Sequence, residues 1–134
     1  MLMTTAVFTF LAAPLLSHHS MATYDQTALI PIKGVVSRIE WLNPHVWITL
    51  TVANADGKPV THRIEIAGPK SLMMRSFDQT TLQIGDAVTM DTWMPKDPGF
   101  NLPPNGRTLT LLDGRQFDVG DNWGGTGADQ KKKR

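Results

Sequence analysis

The sequence has no cysteine in its 134 residues. This excludes disulfide staples, thiol catalysis and Cys-type structural zinc, and leaves histidine as the side chain for transition-metal chemistry. No apolar run reaches the ~18 residues of a spanning helix, so no transmembrane segment is expected in the mature chain. Charge is missing from one end: Asp25 is the first charged residue. A basic face is missing too. Four of the 13 Lys and Arg residues stand at 131–134, leaving nine against all 12 acidic residues, a net of −3 for the body. A single-strand nucleic-acid binder needs a positive groove, so Trp41, Trp47, Trp93 and Phe100 are not read as a base-stacking platform, and no nucleic-acid partner is expected. Catalytic signatures are also lacking. There is no Gly-x-Ser-x-Gly elbow, no Gly-rich phosphate loop and no His-Glu-x-x-His pair, and the carboxylates are scattered singly, Glu40 and Glu65 among them. The chain is therefore read as a non-enzyme.

What is present is enough apolar residue, 41%, for one folded domain. Residues 6–16 (AVFTFLAAPLL) have the length of a secretory h-region, followed by a polar step at Ser17, His18, His19 and Ser20. The expectation is a signal peptide over 1–17, a domain over 18–119, and a flexible Gly-rich, basic tail over 120–134. Location is then periplasmic or secreted.

Between residues 28 and 118 apolar side chains recur with period two. Val35, Ser37, Ile39 and Trp41 alternate with Val36, Arg38, Glu40 and Leu42. Val46, Ile48, Leu50 and Val52 alternate with His45, Trp47, Thr49 and Thr51, the cleanest strand in the chain. Asn43-Pro44 separates the two, and residues 54–57 (NADG) predict a hairpin into a third strand over 60–67. Pro69 at a first helical turn predicts a short helix over 70–77. A fourth strand is expected over 87–94, a stiff surface loop with four prolines over 95–106, and a last hairpin through Asp113-Gly114 to 116–119. The fold class is mainly β: a small five- to six-stranded antiparallel barrel, OB-like, with one short helix between strands three and four. A meander or sandwich of the same strands remains the alternative.

The four histidines are His18, His19, His45 and His62. Cleavage after Ser17 makes His18 the N-terminus, whose amine and imidazole chelate one metal together. Cleavage after Leu16 puts His19 third, where amine, amides and imidazole form a square-planar set. Copper(II) favours such tetragonal nitrogen ligands. His45 shares its face with Trp47, and an N-terminal pair folded across that strand brings His18, His19 and His45 together. The competing reading is a polar terminus and a turn-bonding His45. His62 has the parity of Ile64 and Ile66 and is read as a core position. The alternative function is an interaction module docking a cell-envelope partner through Trp47, Trp93 and the 95–106 loop.

The His18-His19-Ser20 start, the run from Glu40 through Asn43-Pro44-His45-Val46-Trp47-Ile48, Gly68-Pro69, Ile84-Gly85-Asp86 and Asp113-Gly114-Arg115 together resemble a family of small exported bacterial proteins of unknown function. The resemblance spans roughly 18–118. It implies a signal peptide ending just before the histidines, export, and a compact β-rich fold, and it places His18, His19 and His45 in the signature.

Overall fold

The computed structural model describes residues 21–121. The expected leader, His18, His19 and residues 122–134 lie outside the described residues. Period-two alternation builds β1 (Ile30–Trp41), β2 (Val46–Ala53) and β3 (Pro59–Glu65), then α1 (Pro69–Met74), then β4 (Ala87–Trp93), β5 (Asn105–Leu111) and β6 (Gln116–Asp118). The strands form one sheet in the order β3-β2-β1-β4-β5-β6, and a further pairing of β3 with β5 joins it into a ring. All pairings are antiparallel except β3 with β5, which is parallel and consists of the single pair Glu65 and Asn105. The protein is mainly β and barrel-like, with its helix between the third and fourth strands as expected. No helix of the described residues is long and apolar enough to cross a membrane.

The inner face is apolar because each strand offers every second side chain to it. Val46, Ile48 and Leu50 of β2 are fully buried, as are Ile64, Met90 and Leu109 on neighbouring strands. Strand β1 departs from simple alternation. Ile32 and Val36 face the core, whereas further along the strand it is Ile39 and Trp41 that pack against it. A bulge between Val36 and Arg38 absorbs the extra residue and switches parity.

Two expected boundaries move. The helix stops at Met74 rather than reaching residue 77, because Ser76 takes a left-handed conformation, φ 61°. The N–H of Phe77 bonds to the Leu72 carbonyl at 3.0 Å and that of Ser76 to Met73 at 3.2 Å, a helix-ending turn that drives Phe77 inward. There its ring lies 6.1 Å from Trp41 and 5.4 Å, edge on, from Phe117. The Pro-rich loop is also shorter than expected: a 3-10 turn spans Pro98–Phe100, and Asn105 and Gly106 begin β5 and are buried. Tyr24 bridges to Pro95, and the Lys96 N–H bonds to the Thr23 carbonyl, so this loop is tied to the chain entering β1.

Gly106 lies where three side chains converge. A methyl group there would stand 2.7 Å from Ile66 Cγ2 and 3.0 Å from Met90 Sδ, with Ile64 Cγ2 at 3.1 Å. Gly106→Ala is expected to lower stability by about 1–3 kcal/mol through overpacking, read as a reduced urea midpoint at unchanged slope.

Candidate functional site

The site starts with the hairpin register. Asp56 Oδ1 accepts the Lys58 N–H at 3.0 Å and the Asn54 N–H bonds to the Lys58 carbonyl at 3.1 Å, which sets Ala53 opposite Pro59. From that pair it follows that Trp47 stands opposite Glu65. The same row continues around the ring: Glu40 lies opposite Trp47, Asn105 beside Glu65, and Trp93 opposite Asn105. His45 comes immediately before β2, so its side chain follows the parity of Trp47, toward Glu65.

His45 is the centre of the cluster. Its Nδ1 is 2.9 Å from Glu65 Oε1 and its Nε2 is 2.9 Å from Asp121 Oδ2. The three side chains are only 15%, 14% and 21% exposed. An imidazolium donates from both nitrogens, whereas a neutral ring donates from one and offers a lone pair at the other. The two carboxylates meet opposite edges of the ring. Among the described residues no three His, Asp or Glu side chains converge as a metal site.

Asp121 is brought to the ring by the segment after β6. Val119 is fully buried; its carbonyl accepts the Ala67 N–H at 2.8 Å and its own N–H bonds to the Arg107 carbonyl at 2.9 Å. Arg75 Nη1 donates to the Gly120 carbonyl at 2.9 Å and pairs with Asp118 at 3.1 Å, while Arg107 Nη1 donates to the Asp121 carbonyl at 3.1 Å. Residues 120 and 121, assigned by composition to the tail, are therefore held. Arg107 also lies flat over Trp93, its Cζ 4.1 Å from the ring centroid. Burial pushes the Arg107 pKa below the ordinary arginine value; Asp118 and Asp121 oppose that shift and the charge of Arg75 adds to it. Trp47 is covered in the same way, by Arg63 at 3.8 Å, whose Nε donates to Glu40 at 3.0 Å.

A shallow cleft of about 380 Å³ opens beside His45 and Asp121, walled by Asn43, Pro44, Pro69 and Met74. Its floor depends on Gly68, where a methyl group would lie 2.4 Å from the Pro44 carbonyl oxygen. Near the same seam the Tyr24 hydroxyl donates to the Pro103 carbonyl at 2.9 Å, two residues before Asn105. Burial, with the negative charge of Glu65 adding to it, pushes the phenol from 10.0 up to about 12.

Of the expected ligands, His45 occupies this cluster, and His18 and His19 lie outside the described residues. His62 is half-buried opposite Leu50. Sequence reasoning missed Glu65, Asp121, Arg107 and Tyr24. Glu65 was recoverable from the hairpin register; nothing local marks the other three.

Fold and site define a small barrel-like β protein with a histidine held between two carboxylates beside its closing seam. The chain belongs to the Family of unknown function (DUF6152), whose model matches residues 7–100. No curated protein and no solved structure matches it. The matched residues include His45 and Glu65 and stop short of β5, so Arg107 and Asp121 fall beyond them.

Tyr24 is the only tyrosine in the chain, which makes its titration readable by ultraviolet absorbance. Its folded pKa is raised, so the stability it confers is complete below pH 10.0 and is lost as pH climbs through about 12. Glu65→Gln should move the native midpoint downward. A native midpoint at the ordinary tyrosine value, unmoved by Glu65→Gln, contradicts this geometry.

Proposed function

We propose that this chain is an exported, non-catalytic β protein that binds copper(II) at the His45 cleft, with His18 and His19 as further nitrogen donors. The observation that carries the reading is the disposition of His45. Its Nδ1 lies 2.9 Å from Glu65 Oε1 and its Nε2 2.9 Å from Asp121 Oδ2, and in the neutral tautomer that donates Nδ1–H to Glu65 it is the Nε2 lone pair that faces Asp121. Two acceptors at that distance repel unless a proton or a cation lies between them. A separation near 2.9 Å is also the span of two adjacent ligands set at right angles about an ion with bonds of about 2.0–2.1 Å. Asp121 thus joins the donor set, and Glu65 is the outer partner that fixes the ring's tautomer and orientation.

The N-terminal histidines stand close in sequence to the start of the described fold. Tyr24, on the chain entering β1, donates its hydroxyl to the Pro103 carbonyl, two residues before the Asn105 that pairs with Glu65. His19 precedes Tyr24 by five residues, roughly 17 Å of extended chain. Nitrogen and oxygen donors of this kind suit copper(II), which heads the divalent affinity order. The docking alternative is less favoured because Trp47 and Trp93 each lie under a guanidinium.

Copper(II) titration of the purified mature protein tests the reading. His45→Ala and the double variant His18→Ala/His19→Ala should each weaken binding strongly. Glu65→Gln, which touches no metal, should weaken it roughly 10- to 100-fold through loss of ring orientation. Equal affinity in wild type and His45→Ala would overturn the assignment.

A further inference from the structure

Helix α1 buries only Leu72. Its last two residues are Met73 and Met74, 61% and 79% exposed, and their thioethers take no part in the core. They serve different clefts. Met74 walls the His45 cleft with Asp121. Met73 walls a second one of about 580 Å³ with Trp41, Pro69 and Gln79. The backbone next to Met74 is tied to the backbone next to Asp121 through one side chain, Arg75. Arg75 Nη2 donates to Ser71 Oγ at 2.7 Å and its Nε to the Ser71 carbonyl at 3.2 Å, while Nη1 reaches the Gly120 carbonyl at 2.9 Å. The helix carrying the thioether and the segment carrying the carboxylate are thereby tied into one wall.

We propose that the His45 cleft also takes copper(I), with the Met74 thioether and His45 Nε2 as its donors. This rests on the reading of His45 as a copper ligand and adds a second oxidation state to the same site. The chemistry of the wall supports it. A carboxylate is a hard donor suited to the divalent ion, whereas a thioether is soft and selects copper(I). Imidazole serves both. The cleft therefore offers one common ligand, His45, flanked by a partner for each state, Asp121 and Met74. Lys70 also lines this cleft and is exposed, so its charged head has open solvent to occupy.

Anaerobic titration of the full mature chain with copper(I), in competition with a chromophoric copper(I) chelator, tests this directly. Met74→Leu keeps volume and helix propensity, so the fold is expected to survive, checked by an unchanged thermal midpoint. It should weaken copper(I) binding by roughly tenfold or more, through loss of the soft donor, and weaken copper(II) binding by much less than that. Met73→Leu should leave both unchanged. Unchanged copper(I) affinity in Met74→Leu, or an equal loss in Met73→Leu, overturns the proposal even where copper(II) binding holds. Met74-dependent copper(I) binding without copper(II) binding would instead overturn the copper(II) reading and support this one.

Discussion

Between β3 and β5 the sheet is joined by one bridge pair, Glu65 and Asn105, so closing the ring falls to the chain that follows β6. Val119 is laid into that seam with its side chain in the core, bonded on one side to Ala67 and on the other to Arg107. This supplies the hydrogen bonds that buried strand ends would otherwise lack, and an unpaired buried backbone group costs about 1–3 kcal/mol. Ring closure is thus a three-part joint of β3, β5 and residues 118–121.

The joint also makes the site. Once Val119 is buried, Gly120 and Asp121 leave the seam on the outer side, where Arg75 and Arg107 hold their carbonyls. Asp121 then meets His45, which already faces Glu65 across the hairpin. The two arginines act through planar donors, and the stacking of the half-buried Arg107 over Trp93 steadies that contact. Structure and candidate chemistry therefore share residues: the carboxylate that caps the imidazole belongs to the segment that seals the barrel-like sheet.

Much of the fold was legible because it follows from alternation. Strand β2 alternates in the structure as it does in sequence, with Val46, Ile48 and Leu50 buried and Trp47, Thr49 and Thr51 half-buried on the opposite face. Where local rules compete, the sequence misleads. Strand β1 carries apolar side chains at both parities, and only the bulge after Val36 reconciles Ile32 with Ile39. The helix end was hidden because serine, not glycine, takes the left-handed position. The site was legible only to the extent that its contacts are local. His45 stood out as a histidine, and Glu65 follows from a four-residue turn. Asp121 sits in a glycine-rich stretch that composition assigns to a tail, and its role arises from a contact 76 residues away in sequence.

The central claim is that residues 118–121 close the ring and present the carboxylate to His45. Amide hydrogen exchange at Ala67 tests it most directly, because that N–H donates to the Val119 carbonyl across the seam. The account predicts that Ala67 and Val119 exchange as slowly as Ile48 in β2, opening only with the whole fold. Exchange of Ala67 at the rate of a frayed strand end, with Ile48 still protected, would contradict it.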